Sequence, residues 1–333
     1  FVSAAGDNYH LSSTSPAINA GTAMLAPNRD FEGDTRPSGS GWDIGADEYL
    51  SGGPPPVSIS TIGLYNGAGG RFYLRNANSA GPADISFAYG PQNAGWPPIA
   101  GDWNGDGVDA VGLYNPTTST FLLRNVHSAG AADAVFVFGA AGGGWLPIAG
   151  DWNGDGSDTV GLYNPSAGAF FLRNSHAGGA ADAAFFFGAA NAGWLPTAGD
   201  WNGDGTDTVG LYNPSAGAFF LRNSHAPGAA DAAFFFGAAN QNWQPLAGDW
   251  NGDGTENIGL YNPGAGRVYL RNSHSAGPAD VTFLYGPAGA GWRPLAGDWN
   301  GPGSANNVAL AGPEARPIRR VSWLLIAPRI RRA

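Results

Sequence analysis

No cysteine occurs anywhere in the sequence, which excludes a disulfide framework and thiolate chemistry. Lysine is missing too: all 16 basic side chains are arginine, a matter of codon usage rather than function. Only 13% of the residues are charged, and the balance is a net −10. A phosphate backbone needs a basic stripe, so this balance argues against nucleic acid as a partner. No apolar run approaches the ~20 residues that a membrane-spanning helix requires. No segment carries the 3.6-residue period of an amphipathic helix, which rules out a helical solenoid. Enzyme signatures are equally missing: there is no Gly-x-Ser-x-Gly, no His-Glu-x-x-His and no phosphate-binding loop.

What the chain has instead is glycine, 54 residues of it, with 25 proline, in a sequence that is still 43% hydrophobic and 12% aromatic. The apolar residues come in short runs between Gly, Pro, Asn and Asp clusters. That pattern predicts many short strands joined by tight turns.

One stretch sets the period. Ala-Gly-Asp-Trp-Asn-Gly-Asp-Gly at 149–156 recurs at 100–107, 198–205 and 247–254, and in altered form at 296–303, always 49 residues apart. Each unit reads as four strands. In the unit 147–195 they are Pro147–Asp151, Asp158–Asn164, Ala169–Asn174 and Ala183–Gly188. Val160 and Leu162 share one strand face, and the third and fourth strands carry aromatics on both faces (Phe170, Phe171; Phe185, Phe186, Phe187). A lone four-stranded unit of this length cannot bury both faces, whereas units arranged in a ring can. The fold class is therefore all-β, a β-propeller of 49-residue, four-stranded blades. Innermost strands precede Asp102, Asp151, Asp200, Asp249 and Asp298, and three-strand sets begin near Gly63, Gly112, Gly161, Gly210 and Gly259. Pairing the last innermost strand with the first set closes a five-bladed ring and removes exposed edges. Asn307–Ala311 looks like a further second strand that such closure leaves redundant, so a larger or open array is the alternative.

Phe-x-Phe-Gly followed by Gly-Asp-x-Asn-Gly-Asp-Gly resembles the FG-GAP or VCBS-type repeat across residues 57–311. Residues 1–50 are different. Leu11…Ser15-Pro-Ala-Ile-Asn-Ala-Gly21 and Asp43-Ile-Gly-Ala-Asp-Glu48 resemble the C-terminal end of pectate-lyase-like parallel β-helices. The chain then divides into that terminal segment (1–50), a Gly/Pro linker (51–56), the propeller (57–311) and an irregular Arg-rich tail (312–333). With Phe1 at its start, it reads as a piece of something longer.

The acidic loop places oxygen ligands at alternate positions, with Gly allowing a sharp turn, which suits a hard cation and favours Ca²⁺. The ligands would be Asp102, Asn104, Asp106 and Asp109 in the first loop, and Asp151, Asn153, Asp155 and Asp158 in the second. The third and fourth loops supply Asp200, Asn202, Asp204, Asp207 and Asp249, Asn251, Asp253, Glu256. In the FG-GAP pattern the last acid stands at the ninth place; here it stands at the eighth. The bland alternative is that these are metal-free turns. The altered fifth loop, with Pro302 and Ala305, is expected to bind nothing.

Arg75, Arg124, Arg173, Arg222 and Arg271 each precede an Asp by nine residues, which predicts a cross-strand ion pair; a ring of Arg for anionic glycans is the alternative. His127, His176, His225 and His274 are expected in local hydrogen bonds. Of two Trp sets, 96/145/194/243/292 is expected in the core. Trp103, Trp152, Trp201 and Trp250, inside the acidic loops, are expected to be partly exposed and are the candidate ligand-binding residues. The copies differ mainly by loss, whereas catalysis would add unique polar groups to one copy, so no enzyme is predicted. The expected function is an extracellular or cell-surface binding and adhesion module with calcium-stabilised blades, recognising glycans or surface proteins. The alternatives are an accessory domain of a polysaccharide-degrading β-helix enzyme and a purely structural surface component.

Overall fold

A computed structural model describes residues 58–301. Residues 1–50, which resemble a β-helix end, the linker, the strand expected at 307–311, the altered positions Pro302 and Ala305, and the tail lie outside the described residues. What is described is all-β, five four-stranded antiparallel blades in a closed ring. The first blade holds β1 (Thr61–Asn66), β2 (Arg71–Leu74) and β3 (Ile85–Ala88). The second is β4 (Pro98–Gly101), β5 (Ala110–Asn115), β6 (Thr120–Leu123) and β7 (Ala134–Val137). The third is β8 (Leu146–Gly150), β9 (Thr159–Asn164), β10 (Ala169–Leu172) and β11 (Ala183–Phe186). The fourth is β12 (Leu195–Gly199), β13 (Thr208–Asn213), β14 (Ala218–Leu221) and β15 (Ala232–Phe235). The fifth is β16 (Gln244–Gly248), β17 (Asn257–Asn262), β18 (Arg267–Arg271) and β19 (Val281–Leu284), and β20 (Arg293–Gly297) returns to the first blade.

The ring closes as the strand count required. β20 pairs with β1 in the register Thr61↔Gly297 to Tyr65↔Arg293, so the chain's last inner strand completes its first blade. The inner strands follow one another around the axis as β4, β8, β12, β16, β20 and back to β4.

Among the described residues the apolar core is divided. Five apolar slabs lie between neighbouring blades. The slab between the second and third blades holds Ile99, Trp103, Tyr114, Phe121, Leu123, Phe136 and Phe138 of one with Val160 and Leu162 of the other. The same positions fill the remaining four. The second strand of every blade is buried on both faces, because it has a blade on each side. In four of the blades a Tyr–Phe–Phe row packs ring on ring, for instance Tyr163–Phe170 at 4.6 Å and Phe170–Phe185 at 5.9 Å, and in the fifth Val268 takes the middle place.

The outermost strands depart from expectation. Phe185 and Phe187 are buried, but Phe186 is 65% exposed and its counterpart Phe235 64%. Blades splay apart towards the rim, so alternate residues of the outer strand face solvent instead of a neighbouring blade.

Candidate functional site

The repeat gives the ring two unlike faces. Every inner strand ends on the same face, where the acidic loops and the third-to-fourth-strand loops gather. All Asp and Glu of residues 58–301 belong to loops on that face, and the turns and connections of the other face contain none.

The acidic loops are self-supporting. In the first, Asp102 Oδ1 accepts the backbone N–H groups of Asn104, Gly105 and Asp106 at 3.3, 2.8 and 3.1 Å, and Oδ2 accepts that of Gly107 at 2.7 Å. Asp106 accepts the Asn104 side-chain amide at 2.9 Å and the Val108 N–H at 2.9 Å. The loops at Asp151, Asp200 and Asp249 repeat the pattern.

The eighth-position acids correct the expected ligand sets. Asp158 does not close its own loop: its Oδ2 accepts the backbone N–H of Asp102, in the preceding blade, at 2.8 Å. Asp207 does the same to Asp151 at 2.8 Å, Glu256 to Asp200 at 3.2 Å and Asp109 to Asp298 at 2.7 Å. Ser60, which stands one period before Asp109, completes the cycle by accepting the N–H of Asp249 at 3.1 Å. A backbone bond runs beside each latch, from Asp158 N–H to Asp102 O for example, at 2.8 Å. The one-residue shift is thus an inter-blade device. Glycine at the end of the inner strand makes room for it: a Cβ on Gly150 would stand 2.7 Å from Asp207 Oδ2.

Enclosing these acids raises their pKa values. Burial pushes Asp109, Asp158 and Glu256 well above the usual carboxylate range, with mutual repulsion adding to it. Asp207 is pushed up to about 7, again chiefly by burial.

For a cation, Asp102, Asn104 and Asp106 and their counterparts remain. They fit calcium in kind, being hard oxygen donors, and fall short in number, because the fourth acid is committed elsewhere and Asp102 already accepts four N–H groups. Among the described residues no three Asp, Glu, His or Cys side chains converge as a metal-binding group.

The other repeated positions resolve into structure. Arg75, Arg124, Arg173 and Arg222 pair with Asp84, Asp133, Asp182 and Asp231 at 3.1–3.4 Å. Arg271 instead is held by its own loop, bonding the Ser275, Ala276 and Pro278 carbonyls and the Ser275 hydroxyl, while Asp280 caps the Asn272 N–H. Each His bonds through Nε2 to the carbonyl of its blade's latch residue, His176 to Asp158 at 2.9 Å, and Asn78 does the same to Ser60. Burial lowers the pKa of His127 and His274, which suits a neutral ring donating to a carbonyl.

The two tryptophan sets exchange roles. Trp103, Trp152 and Trp201 are 4% exposed and Trp250 is 0%, so they have no face left for a ligand. The rings of Trp103, Trp152 and Trp201 meet the next blade's His edge-on, Trp103 against His176 at 6.1 Å, whereas the blade after Trp250 carries Asn78 in that place. The set expected in the core is the half-buried one. Trp145 lies flat on Phe171 of its blade at 4.6 Å and 8°, Trp194 on Phe220, Trp243 on Tyr269 and Trp292 on Tyr73. The spacing could not separate the two sets, since both recur every 49 residues.

These half-buried tryptophans stand on the carboxylate-free face, around the start of the inner strands. There the ring opens into a funnel of about 530 Å³, which includes Trp243 in its wall. A narrower space of about 160 Å³ lies along the axis between the inner strands, beside Ala100, Ala149, Ala198, Ala247 and Ala296. A third cavity of about 250 Å³ lies beside Trp96, Tyr65 and Arg293, so that Arg293 borders both this cavity and the funnel.

No family model matches the sequence, and no curated protein matches it. Among solved structures the chain is similar to BBS1N, crystallised in complex with ARL6DN. The identity is 12% and the TM-score 0.34, over 74% of this chain and 73% of that one. A likeness at that level carries no argument about function.

Proposed function

We propose that the ring is a non-enzymatic binding and adhesion module, secreted or displayed at a cell surface, that recognises glycans or surface proteins, and that its blades are of the FG-GAP/VCBS type. The half-buried tryptophans of the carboxylate-free face carry this reading. All five are half-buried, four of them lie flat on an aromatic ring of the same blade, and Trp243 stands in the wall of the funnel. A flat indole beside a cleft is what a sugar ring or an apolar side chain stacks on. Repetition lets individually weak contacts add through avidity.

Calcium has a reduced place here. The loops at Asp102, Asp151, Asp200 and Asp249 would offer a surface ion three side-chain oxygens each, and their own hydrogen bonds already hold them closed. Calcium would then bind weakly and add little to the ring's stability.

A glycan array probed with the intact protein, with calcium and with chelator, tests the recognition. Binding that survives chelation and is lost in a Trp145→Ala/Trp194→Ala double variant supports stacking on these tryptophans. Absence of binding under both conditions removes the glycan reading.

A further inference from the structure

The repeat breaks its symmetry by gain at one position, at the start of the inner strands. The residue after the half-buried tryptophan is Pro97, Leu146, Leu195, Gln244 and Arg293 in successive copies, and all five line the 530 Å³ funnel. In ring order the three apolar residues stand on consecutive blades, and Gln244 and Arg293 stand together on the remaining two. The funnel therefore has an apolar wall facing a polar, cationic corner.

Arg293 is unlike the five arginines that repeat. Arg75, Arg124, Arg173 and Arg222 have carboxylate partners, and Arg271 is held by hydrogen bonds. Arg293 is half-buried, and among the described residues no carboxylate or hydrogen-bond acceptor engages it. Burial lowers its pKa, opposed only by the Tyr65 phenol. A guanidinium taken part-way out of water costs free energy unless an anion meets it. Among the described residues none lies on this face, because all their acids lie on the other.

We propose that the funnel is a binding site for an apolar monocarboxylate. Its carboxylate meets the Arg293 guanidinium in a two-point contact, the Gln244 amide donates a further hydrogen bond, and an aliphatic or aromatic body lies on Leu146, Leu195 and the prolines between them. Planar, paired donors make arginine the natural partner of a carboxylate. The cavity lies within the ~300–1,000 Å³ range of small-molecule sites. The separation of charge between the faces steers an anion here and away from the opposite mouth. This site goes beyond the glycan reading and does not depend on it: a blank glycan array leaves it standing.

The test is calorimetric titration of the intact protein with octanoate, octanamide and acetate. Octanoate is expected to bind once per ring, octanamide about tenfold or more weakly, and acetate, which lacks the apolar body, not measurably. Arg293→Gln should weaken octanoate by about tenfold or more and leave octanamide unchanged. Gln244→Glu supplies an internal counter-anion beside Arg293, so it should also weaken octanoate, with no loss of thermal stability. A short peptide ending in Leu-carboxylate, set against its C-terminal amide, separates the two sources of this chemistry. Tighter binding than octanoate, lost on amidation, assigns a peptide terminus; the reverse order assigns a free acid. The proposal is overturned if octanoate does not bind, if octanamide binds as tightly, or if both Arg293→Gln and Gln244→Glu bind octanoate as the parent does.

Discussion

Replacing Asp207 with Asn should change how stability depends on pH, and the sign follows from the latch. Asp207 Oδ2 accepts the Asp151 N–H at 2.8 Å across the blade junction, a bond that an amide oxygen can also accept. Burial, then repulsion from Asp200, Asp151 and Asp109, pushes this carboxyl up to about 7 against the bond to Asp151. An unfolded Asp titrates near ~3.9, so between about pH 4 and 7 the folded state holds the extra proton. The stability associated with the protonated acid is fully present below about pH 4 and is lost as pH rises through about 7. A shift of ~3 units sets a ceiling of ~4 kcal/mol, and because the side chain retains some contact with solvent we expect roughly 1–2 kcal/mol. Asn carries no charge to desolvate. Urea unfolding followed by tryptophan fluorescence should therefore find Asp207→Asn level with the parent near about pH 4.5 and more stable by roughly 1–2 kcal/mol near about pH 8, at unchanged m. Asp109, Asp158 and Glu256 give the parent a slope of the same sign, so the difference between the two proteins isolates Asp207. An Asn variant about 1 kcal/mol or more less stable near pH 8 would refute the reasoning, because the carboxylate would then be held as a charged acceptor.

Other outcomes follow from the same geometry. Gly150→Ala places a Cβ 2.7 Å from Asp207 Oδ2 and 2.9 Å from its Cβ, and should cost about 1–3 kcal/mol in the same assay. Leu295→Ala empties a buried place in the closing strand, beside Phe72, Leu74 and Trp299, and should cost about 2–5 kcal/mol. Excess calcium in place of chelator should move the midpoint of thermal unfolding by less than about 2 °C; a rise of about 5 °C or more would restore calcium as a structural element of the blades. Phe186→Thr and Phe235→Thr should leave stability within about 0.5 kcal/mol while reducing self-association in light scattering, since both rings lie open to solvent.

The fold was legible because it is written locally and repeatedly. A period of 49 residues, strand alternation between Gly-rich turns and the count of innermost strands led to five blades and to closure by the last inner strand. Nothing local could say where a repeated side chain ends up when its partner is a whole unit away. The shifted acids looked like misplaced ligands, yet Asp158 bonds the backbone of Asp102, 56 positions earlier, and Ser60 bonds that of Asp249, 189 positions later. The two tryptophan sets share one period, and only the stacking of blade on blade decided that Trp152 is sealed in and Trp145 is half open. Phe186 read as core because aromatics flanked it; the splay of the blades put it in water. Least visible of all was the funnel. Pro97, Leu146, Leu195, Gln244 and Arg293 lie 49 residues apart in the chain, and they line one cavity because the inner strands meet around an axis. The sequence by itself determined the blade, its repetition and its closure, since those rest on patterns within a few tens of residues. The tertiary structure alone decided the latches, the open faces and the funnel, since each is made by contacts between blades.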